Sequence, residues 1–212
     1  MRRVCLALIL ILSVSSWIAC NKGGEGAGSG DSGSDQVDSP RIAQLMTEVK
    51  TLKEQFDTAE DQKTKDDAMT ELSGKLELVL SENPNHPEAN AMMDDVQMYY
   101  AMQWAKQGKY SKAMEIVDSL LQFSPDNQKA QEMKANFENW MYMDKEEFEQ
   151  IKKGMYMDEV EQMVGYPLRK TEDKDKLGRK VYGWFYKEPK LQKAVSIWFN
   201  ENGQVYSTRW PK

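Results

Sequence analysis

One histidine and two cysteines are the whole supply of imidazole and thiol in 212 residues. That is too little for a histidine or thiolate metal site, or for a nucleophile standing beside its base. No excess of basic residues is present either: 28 Lys and Arg face 34 Asp and Glu, a net charge of -6. A nucleic-acid partner is therefore not expected, because phosphate neutralisation needs clustered Lys and Arg. Long apolar runs are equally scarce. One stretch, Val4 to Ala19, is apolar apart from its serines, and at about sixteen residues it falls short of the roughly 20 that span hydrocarbon as a helix. The length allows one or two modest domains and excludes a large multidomain enzyme. Carboxylates are plentiful, but no spacing singles out a catalytic pair. Glu146, Glu147 and Glu149 share a short helical segment whose charged face is most simply solvated. No enzyme, cofactor or metal is expected, and the single His86, in a turn between Pro84 and Pro87, reads as a turn residue.

What the chain does have begins with an address. Met1-Arg2-Arg3 followed by the apolar run is the pattern of a secretory signal. The run ends Ser16-Trp17-Ile18-Ala19-Cys20, which resembles the lipobox of bacterial lipoproteins, with Trp17 where Leu is usual. The resemblance implies residues 1–19 as signal peptide, cleavage before Cys20, and acyl chains on Cys20 as the anchor, each buried methylene contributing about 0.8 kcal/mol. A plain secretory signal cut nearby is the alternative. Removing Arg2, Arg3 and Cys5 with the signal would shift the net charge from -6 to -8 and leave no intrachain disulfide. Residues 20–40 form the second segment, Cys20 and a Gly/Ser/Asp linker with few packing side chains. A flexible chain of that length reaches about 25 Å. Asn21 is not the Asp that retains enterobacterial lipoproteins in the inner membrane, so the resemblance implies a periplasm-facing, lipid-anchored protein of the outer membrane.

Residues 41–143 carry helical periodicity. Ile42, Leu45, Val49, Leu52 and Phe56 fall at spacings of three and four, as do Met69, Leu72, Leu76, Val79 and Leu80, and two such stripes bury each other as an antiparallel helix hairpin. Further on, Trp104, Gly108, Tyr110, Ala113, Leu120 and Pro125 resemble the tetratricopeptide repeat. In that family the glycine permits a close helix turn, the alanine a tight crossing, and the proline opens the next repeat. Asn83-Pro84-Asn85-His86-Pro87-Glu88-Ala89 resembles the preceding boundary. Pro84 and Pro125 are 41 residues apart, about two helical turns beyond the roughly 34-residue period, so the first helix of this repeat, near Pro87 to Gln107, is lengthened. The segment from Asp126 to about Met143 is expected to cap the stack or dock on the C-terminal domain. The resemblance implies a peptide- or protein-binding groove, with Asn90, Asp94, Gln97 and Met98 as candidate lining. Whether those residues face a groove or stabilise the stack stays open.

Residues 144–212 change character again. A short helix stopped by Gly154, a second apolar at Val160, Met163 and Val164 and stopped by Gly165 and Pro167, then three aromatic and β-branched runs joined at Glu188-Pro189-Lys190 and at Asn202-Gly203, predict two helices on one face of a three-stranded antiparallel meander. The whole fold class is then α+β: a tetratricopeptide-like helical stack followed by this small domain. Ile151, Gly154, Met155, Asp158, Val160, Gly165 and Pro167, with the strand Val181-Tyr182-Gly183-Trp184-Phe185-Tyr186, resemble the SmpA/OmlA (BamE-like) lipoprotein domain. Tyr156 stands where that family has a helix-capping Thr. The resemblance implies an envelope binding module, with proteins of the barrel-assembly machine as partners and a contact with anionic lipid. Residues 169–193 carry nine basic and four acidic side chains, and Lys174, Lys176, Arg179 and Lys180 are read as a basic loop able to meet lipid or an acidic partner. Strand alternation separates Tyr182, Trp184 and Tyr186 from Val181, Gly183 and Phe185, and only one set can face the helices; the bulkier set is either an exposed binding face or is covered by the repeat helices. Two functions are compatible with this pattern: a protein-interaction scaffold, or a lipid- or ligand-binding envelope protein using the aromatic sheet and basic loop.

Overall fold

Side-chain oxygens and one imidazole start most of the helices. The computed structural model describes residues 38–212; the expected signal peptide, Cys20 and the linker up to residue 37 lie outside them. Ser39 accepts a bond from the Ile42 N–H to open α1 (Pro40–Thr58), and Asp61 caps α2 (Gln62–Glu82) through the Thr64 N–H. Each satisfies one of the donors that a helix start leaves orphaned. The apolar stripes bury as expected: Ile42, Leu45, Val49 and Leu52 pack with Met69, Leu72, Leu76 and Val79, while Phe56 and Leu80 stay half-buried at the rim.

The boundary between α2 and α3 (Pro87–Lys106) and that between α4 (Tyr110–Phe123) and α5 (Gln128–Trp140) are built alike. At the first, His86 Nδ1 accepts from the Ala89 N–H at 3.1 Å, and the Asn90 amide donates to the Pro84 carbonyl at 2.9 Å. At the second, Asn127 Oδ1 accepts from the Ala130 N–H at 3.1 Å, and the Gln131 amide donates to the Pro125 carbonyl at 2.6 Å. Ala89 and Ala130 are both fully buried. The 41-residue spacing is thus a repeated turn, and the lengthened α3 matches the expected span. Met98, Ala101, Ala105, Tyr110, Ala113, Val117, Leu120, Ala130 and Phe137 make the core of the α3–α5 stack.

Two short helices come next, α6 (Lys145–Gln150) and α7 (Met157–Val164). Asp144 and Glu147 exchange side-chain bonds with each other's backbone N–H to open α6. The expectation that Gly154 stops this helix is corrected: it ends at Gln150, and Ile151 is already extended. Gly154 instead donates its N–H to the Val205 carbonyl, so that residues 154–157 run beside the start of the last strand. With Tyr156 in place of a capping Thr, the Glu159 carboxylate reaches back to the Tyr156 N–H at 2.6 Å, and α7 starts at Met157.

The sheet has four strands where the sequence predicts three. β1 (Arg169–Lys174), β2 (Lys180–Lys187), β3 (Ala194–Phe199) and β4 (Val205–Arg209) pair in antiparallel sequence order. The additional strand is β1, whose Arg-Lys-Thr-Glu-Asp-Lys has no apolar alternation; it buries no side chain and is held by pairing along β2. The α+β class stands, with helices packed on one face: Val160 and Val164 meet Trp184, Tyr186, Val195, Ile197, Phe199 and Val205.

The segment Gly165–Leu168 joins the stack to the sheet. Tyr110 of α4 donates its hydroxyl to the Tyr166 carbonyl, and Tyr186 of β2 donates to the Gly165 carbonyl at 3.0 Å. Gly165 has φ +71°, and a Cβ there would lie 2.1 Å from the Trp140 ring of α5. Gly108, at φ +73° in the turn before α4, lies under the Leu168 carbonyl, which a Cβ would approach to 2.3 Å. The crowding that the family resemblance assigned to two helices at Gly108 comes here from the joint itself.

Candidate functional site

Three of the four residues expected to line a groove on α3 close turns or face inward. Asn90 holds the α2–α3 turn, and Asp94 accepts from the Asn127 amide at 3.1 Å, tying α3 to the cap of α5. Met98 is buried in the α3–α5 core and Gln97 is half-buried. Met98 as a contact residue is therefore corrected: it packs the stack, because residues 94, 98, 101 and 105 fall on one helical face and the small Ala101 and Ala105 draw α4 close.

A different face of α3 carries aromatic rings that the repeat pattern does not single out. Phe56, Tyr99 and Tyr100 form a chain of edge-to-face contacts with centroids 5.2 and 5.7 Å apart. Tyr99 donates to Asp66 and accepts from Gln62 at 2.9 Å, and burial together with the Asp66 carboxylate raises its pKa above the ordinary tyrosine value. Trp104, one turn beyond Tyr100, lies under two ammonium groups, Lys109 and Lys112, each 4.6 Å from the ring centroid. All four aromatic side chains are half-buried. The spacing Tyr100 to Trp104, i to i+4, was the available signal. Such a strip supplies stacking area and, at Trp104, cations that suit apolar and acidic side chains.

On the sheet, Trp184 and Tyr186 are 4% and 1% exposed on the helix side. Their reading as a binding face is corrected: they are core, and the opposite face carries Phe185 and Trp198 with the Arg169 guanidinium 4.3 Å over the Phe185 ring. Tyr182 stays half-buried at the rim of an open trough of about 550 Å³ lined by Met157, Lys170, Glu172, Tyr182, Trp184 and Gly203. The basic residues lie on a hairpin whose own carboxylates pair with half of them. Arg179 meets Asp175 at 2.7 Å and Lys180 meets Glu172 at 2.8 Å. The Arg179 pair holds the Asp175 carboxyl below its usual range, and bonding to Glu172 raises Lys180. Lys174 and Lys176 make no ion pair among the described residues, and Leu177 at the tip is 76% exposed.

The helical pairs with their repeated turn, followed by a four-stranded sheet, define a tetratricopeptide-like stack in an α+β protein. Residues 96–145, about a quarter of the chain, match the family model of the Fis1 C-terminal tetratricopeptide repeat. The match begins within α3 and runs through α4 and α5, the segment that carries Trp104, Gly108, Tyr110 and Ala113. No curated protein and no solved structure matches the chain. Repeats of this type are typically non-catalytic modules that bind proteins.

Proposed function

We propose that the protein is a non-enzymatic scaffold of the bacterial cell envelope, anchored through acyl chains on Cys20 and holding envelope proteins against its helical stack. The observation that carries the reading is the half-buried run of rings Tyr99, Tyr100 and Trp104 on α3, with Lys109 and Lys112 over the indole. Aromatic anchors at the centre of a contact dominate protein–protein binding energies. The lipobox-like sequence before Cys20 supports the anchor and an outer-membrane location, and the SmpA/OmlA-like pattern in residues 144–212 supports barrel-assembly proteins as partners.

Two measurements test it. Metabolic labelling with palmitate should mark the full chain and not Cys20→Ala; labelling of both would remove the anchor. A photo-crosslinking residue placed at Tyr100 should trap a discrete envelope protein in cells, and Trp104→Ala should reduce that adduct about tenfold or more, as loss of a 1.4 kcal/mol anchor would. A crosslink to lipid alone would favour the second reading, contact with anionic lipid, which rests on exposed Leu177 among Lys174, Lys176 and Arg179. That contact should be lost from anionic vesicles at high salt.

A further inference from the structure

β1 is an edge strand with a free backbone side and a cavity beside it. The Asp175 N–H donates to the Arg179 carbonyl at 2.9 Å, so in the same register Asp173, Thr171 and Arg169 are the residues of β1 that bond to β2. The N–H and C=O groups of Lys170, Glu172 and Lys174 point the other way, where no backbone partner stands among the described residues; the Lys174 N–H donates to the Asp173 carboxylate at 2.8 Å, a bond an added strand would have to displace. At the opposite edge, β4 begins under cover: Gly154 and Met157 donate to Val205 and Gly203, and Val205 donates to Met155.

The side chains of Lys170 and Glu172 stand on the same face as Trp184 and Tyr182, their partners across the ladder. They form one rim of the trough, and Met157 and Gly203 form the other. The trough exists because the two helices cover β2 to β4 while β1 buries nothing. A strand added to β1 would place the residue opposite Glu172 with its side chain over this space. Strand addition draws affinity from such backbone bonds and specificity from such pockets.

Charge selects the occupant. Residues 169–181 hold six basic and three acidic side chains, and Lys174 and Lys176 have no ion-pair partner among the described residues. A second copy of β1 is disfavoured: the antiparallel register that uses all three outward residues sets Lys170 against Lys174 and Glu172 against Glu172, and like charges directly opposite destabilise a pair. We infer that the free edge of β1 takes an extended acidic segment of a partner protein by strand addition, with one aromatic or long aliphatic side chain of that segment in the trough beside Tyr182 and Met157. This site stands apart from the aromatic strip on α3.

The test uses the ¹⁵N-labelled full chain in detergent and the heptapeptide Val-Glu-Val-Trp-Val-Glu-Val, whose tryptophan stands opposite Glu172 and whose glutamates stand opposite Lys170 and Lys174. Binding should shift the amides of Lys170, Glu172 and Lys174 and the Trp184 indole. N-methylating the glutamate and tryptophan amides should weaken binding about tenfold or more, whereas N-methylating the valine amides should leave it within about twofold. Glu172→Pro removes one free donor at an edge, where proline is tolerated, and should weaken binding similarly. Lys174→Glu, which leaves the backbone intact, should weaken it as well and guards against misfolding of the proline variant. The inference is overturned by unshifted β1 amides at millimolar peptide, by equal binding of a lysine-for-glutamate peptide, by tolerance of the glutamate and tryptophan methyl groups, or by peptide shifts confined to α3. Self-association of the chain through β1 would overturn it too.

Discussion

Gly165 shows how one missing methyl group can fix a joint. Its φ of +71° already disfavours other residues, and the Trp140 ring occupies the place of a side chain. Gly165→Ala should therefore cost about 3 kcal/mol or more, from overpacking and backbone strain together, read as a lowered urea midpoint. Tyr110 works on the other side of the same segment. Tyr110→Phe would leave the Tyr166 carbonyl without its donor and should cost about 1–2 kcal/mol. Burial raises the Tyr110 pKa above 10.0, and Tyr186, also buried, shifts the same way. Because the folded pKa is raised, the stabilisation is complete below pH 10 and is lost as pH climbs toward the folded values. Alkaline unfolding should therefore begin above pH 10, with tyrosinate absorbance appearing together with loss of helical signal. Titration of these tyrosines at pH 10 without unfolding would contradict their placement. Gly165 and Pro167 are visible in the sequence as a helix stop, but the ring that crowds Gly165 comes from Trp140, 25 positions earlier, and no local pattern announces such a contact.

Elements built from apolar periodicity were legible, and those built from pairing alone were not. The α1 and α2 stripes, the long α3 and the aromatic strands β2 to β4 arise from side chains that must be buried. β1 is charged on both faces and exists because β2 offers it a ladder. The face of α3 was equally hidden, since Asn90 and Asp94 look like surface residues until their partners Pro84 and Asn127 are in place. The repeated turn gives a test at this scale. Asn127→Ala removes the α5 cap and the partner of Asp94 and should cost about 1–2 kcal/mol. Asn127→His should recover most of the loss, since His86 performs the same capping one repeat earlier; equal loss in both variants would show the two turns to be unrelated. Between α1 and α2, the Lys75 ammonium and the Gln44 amide hold the Glu48 carboxyl below 4.5. A depressed carboxyl stabilises above its unfolded pKa and loses that contribution as pH falls through the folded one. Glu48→Gln should therefore flatten the dependence of stability on pH below about 4.5 and leave the neutral value little changed, since the pair, about a third exposed, is still screened by solvent.

Across the whole described chain, Asp38–Lys212 forms one compact unit, and the Gly165–Leu168 segment is bonded from α4 on one side and from β2 on the other. Unfolding should therefore be a single transition with equal calorimetric and van't Hoff enthalpies; two separated transitions would show that the stack and the sheet fold independently. The α+β class and the helical repeats were readable from sequence, but the joint was not, because it depends on Tyr110, Trp140 and Tyr186 meeting one short segment from distant positions. At the far end of the stack, His86 is 5% exposed, its Nδ1 accepts from Ala89 and its Nε2 lies 3.2 Å from Asp38, the first described residue. The ring must then carry its proton on Nε2 and donate it to Asp38. With one imidazole in the entire chain, a single pair of nitrogen resonances is a built-in gauge at the root of the N-terminal segment. Any tension or docking that pulls Asp38 away would move the Nε2 signal first and leave Nδ1, pinned to α3, where it was.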